Sequence, residues 1–213
     1  MTSLVLIISW AALGVLSGIL LGLLTRTLLR TKPFSRWSWM VATVLTGLLF
    51  TALAWRLNWS VALLAYSYLT AVLVPLVMID LAEQRLPGAV VLPSYLVLAT
   101  AFGADAVLES SYDQLLRSVT GMAVLAAAYL GLALAVGGLG AGDVKLAGLL
   151  GLALGWWSWT ALFTGTFLGW LLAAIVRIAL RATGRVKSDD PMPLGPFLAL
   201  GAVATVLLSA TGP

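Results

Sequence analysis

Gly140-Ala141-Gly142-Asp143-Val144-Lys145 sets a carboxylate and an ammonium two residues apart, behind two glycines, in a chain that is otherwise overwhelmingly apolar. Charge at a membrane boundary is costly unless it is paired, solvated or used. Glycine beside it permits a backbone turn that a Cβ resists. Outward from this stretch the sequence is apolar in both directions, with runs near 118–137, 144–157 and 158–180. One other stretch has the same placement, Met78-Ile79-Asp80-Leu81 at the end of another apolar run. Asp80 and Asp143 are read as the working pair.

The chain has 213 residues, 62% hydrophobic and 9% charged, where a water-soluble domain carries about 25% charge. A bilayer core is crossed by about 20 apolar residues of helix. That length places spans near 4–25, 38–55, 61–80, 89–103, 118–137, 144–157, 158–180 and 192–211. The expectation is an all-α integral membrane protein, a bundle of about eight transmembrane helices, forming a single polytopic domain over 1–213. The first run exceeds a signal-peptide core and lacks a basic region before it, so it is read as a retained helix. Its Gly14, Gly18 and Gly22, four apart, form a flat stripe on which another helix packs.

Cys and His are both absent. Zinc sites built from those ligands, Ser-His and Cys-His nucleophile pairs, and disulfides are therefore excluded within the chain. No metal and no cofactor are expected. Any chemistry rests on carboxylates, Lys, Arg, Tyr, Ser or Thr. The net charge of +4 does not point to nucleic acid, because the basic residues cluster at span ends, where membrane topology places them.

Those ends give an orientation. With the N-terminus outside and eight crossings, the inner side holds Arg26, Arg30, Lys32, Arg36, Arg85, Lys145, Arg177, Arg181, Arg185 and Lys187. Only Arg56 and Arg117 fall outside, with the acidic loop of Asp105, Glu109 and Asp113. Positive residues favour the cytosolic side, so the N-terminus is placed outside and both aspartates at the cytosolic face. Trp37, Trp39, Trp55, Trp59, Trp156, Trp157 and Trp159 fall near span ends, as an aromatic belt does, and Trp170 is read as core or lipid-facing packing. The runs after the two aspartates, 89–103 and 144–157, are short. Fifteen helical residues reach roughly 22 Å against a core of about 30 Å, so either the bilayer thins or these helices start below the cytosolic surface, and in the second case both aspartates sit in a recessed, wet pocket.

Each candidate has a plainer reading. Asp80 suits a helix-end charge paired with Arg85, and Asp143 an N-cap aspartate. Lys145 suits a positive-inside anchor, and Glu83 a solvated loop charge. Pro191-Met192-Pro193-Leu194-Gly195-Pro196-Phe197 opens the last span with helix-starting prolines, and Pro193, Gly195 and Pro196 are possible lining of the site. Two carboxylates on one face suggest acid/base hydrolysis. Close together they do not both ionise readily, so one takes a proton from water while the other polarises a peptide carbonyl.

Three blocks resemble the type IV prepilin peptidases, also called leader peptidases, membrane aspartic proteases of the GxGD class. They are Ile79-Asp80-Leu81 with Leu86-Pro87 and Leu92-Pro93, then Gly140-Ala141-Gly142-Asp143-Val144-Lys145-Leu146, then Pro193-Leu194-Gly195-Pro196-Phe197-Leu198. The resemblance implies catalysis by Asp80 and Asp143, with Gly140, Gly142 and Lys145 as supporting motif. It implies prepilin or pilin-like (pseudopilin) substrates, whose short basic leader is cut at the cytosolic face just before a hydrophobic helix. It implies a multi-pass protein of the bacterial cytoplasmic membrane, with lipid around it and no nucleic-acid partner. Longer members carry a cytosolic zinc-binding domain after the first span and methylate the new N-terminus. Here that loop, about Thr25 to Trp37, is short and has no Cys, so methyl transfer is not carried over. The alternative reading is a small proton- or ion-coupled transporter using the same aspartates, which predicts charge deep within spans and a repeated half.

Overall fold

The computed structural model of the chain describes residues 4–29, 35–136, 139–185, 187 and 192–209. Arg30, Lys32 and Pro191 lie outside the described residues. Among those described the protein is all helical, with α1 Leu4–Leu28, α2 Arg36–Leu57, α3 Val61–Glu83, α4 Gly88–Leu108, α5 Tyr112–Val136, α6 Ala141–Trp157, α7 Trp159–Ala182 and α8 Gly195–Leu208. Six are long and apolar enough to cross a membrane, and α6 and α8 are shorter. Serine hydroxyls start three of the helices. Ser35, Ser60 and Ser158 each accept the backbone N–H three residues on, satisfying donors that a helix leaves open.

Helices α3 and α6 form the centre. Four-fifths of the apolar window of α3 is buried inside the protein, and α6 is buried continuously from Leu146 to Trp157. The Tyr66 hydroxyl donates to the Ala153 carbonyl at 2.7 Å and ties the two together. Around them α1 pairs with α2, α5 with α6 and α7 with α8. The glycine stripe of α1 meets α2: a Cβ on Gly14 would lie 2.9 Å from the Gly47 Cα, and one on Gly18 would lie 2.9 Å from the Thr43 Cα. Only glycine lets these backbones come so near.

Helix lengths redistribute the expected shortness. After Leu86-Pro87 the helix runs to Leu108, past 103, and its 21 residues cover about 31 Å. Hydropathy falls at Asp105, but one acidic residue does not interrupt backbone hydrogen bonding. The 17 residues of α6 reach only about 25 Å and the 14 of α8 about 21 Å. The tryptophans also divide. Trp37, Trp55 and Trp59 are exposed, whereas Trp156 and Trp157 are buried. Trp156 stacks on Phe102 at 4.8 Å, and Trp157 meets Tyr66 edge-on. Position near a span end sets depth and does not set which way a ring faces. Trp170 donates its indole N–H to the Tyr129 hydroxyl and is packed against α5.

The two arginines set apart from the other ten are both occupied. Arg117 donates to the carbonyls of Gly155, Trp156 and Trp157 at the end of α6. Arg56 donates to the carbonyl of Ser209, just past α8, and lies over the Trp157 ring. Cations there answer the open carbonyls and the negative end of each helix dipole.

Candidate active site

Asp80 lies in the last turn of α3 and is only 3% exposed. Its Oδ2 accepts the backbone N–H of Gly195, the first residue of α8, at 3.0 Å. The contact leaves no room for a side chain at that position. A Cβ on Gly195 would lie 2.6 Å from the same oxygen and 3.6 Å from Leu146 Cδ2. Gly195 is thus wedged between Asp80 and the residue three on from Asp143.

Asp143 is not the N-cap. Gly140 caps α6, and both Gly142 and Asp143 are already helical. From the third helical position the Asp143 carboxylate reaches back and accepts the Gly140 N–H at 3.0 Å. This is the acidic half of a capping box, turned onto a glycine that has no side chain to return the bond. Gly142 supplies closeness rather than an unusual dihedral. A Cβ there would lie 2.9 Å from the Leu86 Cβ and 3.4 Å from the Leu86 amide. The first turn of α6 therefore rests on the α3–α4 connection, which follows Asp80 in the chain.

The α3–α4 connection is itself anchored. Gln84 ends α3 in the left-handed region with φ 50°. Arg85 pairs with Glu83 and donates to the Leu28 carbonyl at the end of α1. Arg85 therefore engages Glu83 rather than Asp80. Glu83 is a helical residue whose side chain is 4% exposed, which corrects its reading as a solvated loop charge. The reason is tertiary: α1 ends beside it and presents a carbonyl that Arg85 bridges.

Lys145 is exposed on α6, with its ammonium beside Gly88. Pro196 is the second residue of α8 and buried, and Pro193 lies in the non-helical stretch before it. One contributor carries no sequence signal. The Tyr95 hydroxyl of α4 donates to the Lys145 carbonyl, so it ties α4 to α6 just after Asp143. Nothing in Leu92-Pro93-Ser94-Tyr95 marks that tyrosine apart from a packing residue. Among the described residues no three His, Cys, Asp or Glu side chains come together as metal ligands.

The assembled end thus has two carboxylates, each held by one backbone N–H at a helix start. An ionised carboxylate has about four acceptor positions, so each retains capacity toward water or a peptide. Helix starts also favour negative charge.

Residues 67–179 match the type IV leader peptidase family. That stretch contains Asp80 and Asp143, whereas Gly195 lies beyond it. The chain is 32% identical over 158 residues to a prepilin leader peptidase/N-methyltransferase of Stutzerimonas stutzeri, covering 72% of this chain and 53% of the relative. It is 34% identical over 158 residues to the protein of that name from Pseudomonas putida, with the same coverage. It is 34% identical over 139 residues to that from Aeromonas hydrophila, covering 64% of this chain and 47% of the relative. The chain spans about half the length of the curated relatives it matches. No solved structure matches it. With a match over more than half its length, and with Asp80 and Asp143 both inside it, the chain belongs to the type IV leader peptidase family.

Proposed function

We propose that this chain is a membrane aspartic endopeptidase that removes the N-terminal leader of type IV prepilins or pilin-like secretion subunits, with Asp80 and Asp143 as its catalytic pair. The observation that carries the reading is the meeting of three distant blocks at one end of the bundle. Asp80 of α3 accepts from Gly195 of α8, Gly195 abuts Leu146, and Leu146 follows Asp143 on α6.

In the proposed reaction one carboxylate is ionised and removes a proton from a water molecule. The other is protonated and donates to the scissile carbonyl oxygen. The water oxygen attacks the carbonyl carbon, and the resulting diol collapses as the leaving amide nitrogen is protonated. The titration belongs to the pair. Gly140 and Gly142 hold the turn that presents Asp143, Lys145 anchors that end at the membrane surface, and no cofactor takes part. The proposal treats 1–213 as one polytopic domain of the bacterial cytoplasmic membrane, with the N-terminus outside and the site toward the cytosol. The bias of basic residues toward the aspartate end supports that orientation. Methyl transfer is not included, because only residues 29–35 connect α1 to α2.

The test is cleavage of a prepilin in membranes containing the chain, beside Asp80→Asn and Asp143→Asn variants at equal expression. The parent should remove the leader, and each variant should be slower by about 1,000-fold. A variant that cuts at the parent's rate overturns the paired-carboxylate assignment.

A further inference from the structure

An apolar groove of about 750 Å³ opens between α2, α3 and α8. Its walls are helical stripes. On α2, Trp37, Val41, Leu45 and Leu49 recur every fourth residue, and on α8, Pro196, Leu200, Val203 and Leu207 do much the same. The floor is the face of α3 from Thr70 to Leu81. None of the lining residues is charged, and Ser38 and Thr70 are the polar ones. One end of the groove is lined by chain neighbours of the candidate site. Met78 and Leu81 flank Asp80 in the chain, and Pro196 follows the glycine whose N–H Asp80 accepts.

We propose that this groove seats the apolar helix of the substrate, with the N-terminal end of that helix at Leu81 and Pro196. The inference rests on the peptidase reading and adds where the substrate lies and which way it runs. Three properties select this occupant. The floor from Thr70 to Leu81 is about 17 Å long, which is three turns of helix. A helix is about 10–12 Å across, and an open groove of this length and volume has room to seat one along its side. The lack of charge over the whole length complements an uncharged helix and rejects a basic leader. A helix lying here with its N-terminal end at Leu81 presents the peptide just ahead of it to Asp80. A scissile bond ahead of an apolar helix is thereby selected by where the helix stops.

The test is photocrosslinking in membranes, using the full chain with p-benzoylphenylalanine placed singly at Leu81, Leu200 or Leu49 and a prepilin as partner. Leu134 of α5 and Ile178 of α7, exposed away from the groove, serve as controls. Leu81 should capture the prepilin next to its cleavage point, Leu200 about one turn deeper and Leu49 about three turns deeper, with no capture from the controls. Capture of lipid only, of a second copy of the chain only, or of prepilin equally from the controls overturns the groove assignment. If the parent chain still cuts the prepilin in that event, the peptidase reading survives the loss. Capture in the predicted order without cutting by the parent overturns the peptidase reading and upholds the groove. Separately, Val41→Trp and Leu200→Trp fill the groove from exposed positions. The apparent KM for prepilin should rise about ten-fold with kcat held, the signature of lost substrate binding. Unchanged KM in both variants counts against the groove.

Discussion

The two ends of α6 and α8 are finished in opposite ways. At one end, the start of each helix meets an aspartate, with Asp143 bonded to Gly140 and Asp80 to Gly195. At the other, the end of each helix meets an arginine, with Arg117 on three α6 carbonyls and Arg56 on the carbonyl of Ser209. Both pairings agree with the helix dipole. They differ in saturation. The arginine fork of Arg117 is spread over three acceptors, which suits a fixed staple. Each aspartate is held by one backbone donor, which suits a group that must also meet water and peptide. One end is finished as a staple, and the other keeps the acceptor capacity that the proposed reaction would use.

That division can be broken at Gly195. Gly195→Ala puts a methyl 2.6 Å from the Asp80 oxygen, so the carboxylate must move or α8 must retreat. Displacement of a catalytic group by about 1 Å costs on the order of 100-fold in kcat. That loss is expected in a cleavage assay, with thermal unfolding in detergent changed far less. Gly142→Ala, which meets the Leu86 Cβ at 2.9 Å and its amide at 3.4 Å, should act in the same direction and more weakly, by about ten-fold, because it reaches Asp143 only through a shift of the backbone and does not press on a carboxylate directly. Parent-like kcat in Gly195→Ala would mean that the observed pairing of Asp80 with α8 is not the reacting arrangement.

The opposite end should show the reverse pattern. Arg117→Ala leaves three part-buried carbonyls at the end of α6 without that donor. Charge-assisted bonds of this kind contribute roughly 1.5–3 kcal/mol, so a loss of about 2 kcal/mol in unfolding free energy is expected. Cleavage per folded molecule should stay within about two-fold of the parent, since the arginine touches no reacting group. A loss of kcat matching that of Gly195→Ala would join the two ends into one functional unit and remove the contrast.

Hydropathy made the helices legible, but not the lengths on which the site depends. Asp105 lowers local hydropathy without ending α4. Gly140 to Gly142 reads as a turn, yet Gly142 is tightly packed helix. Asp80 and Asp143 stand out because a carboxylate at the end of an apolar run is rare. The partner of Asp80 does not stand out, because Gly195 lies 115 residues away and contributes a backbone N–H, which every residue but proline possesses. The resemblance put Gly195 in a third motif block without assigning it a contact. Glu83 was misread for a related reason: its burial depends on α1, which no local pattern connects to it.

Tyr95 tests the smallest part of the contrast. Its hydroxyl donates to the Lys145 carbonyl and ties α4 to α6 two residues past Asp143. Gly148 provides the space, since a Cβ at that position would run into the Tyr95 hydroxyl. Tyr95→Phe removes that tie. The first turn of α6 is then held less closely to α4, and Asp143 with it. The expected result is a kcat about three- to five-fold lower at unchanged KM, with a loss of about 1 kcal/mol in unfolding free energy for the missing hydrogen bond. Gly148→Ala should be harmful alone and less harmful in the Tyr95→Phe background, with a coupling of about 1 kcal/mol in a double-mutant cycle read by cleavage. If the two substitutions simply add, the hydroxyl does not set the spacing of α4 from α6. The geometry of the reactive end would then be held by Gly142 and Gly195 alone.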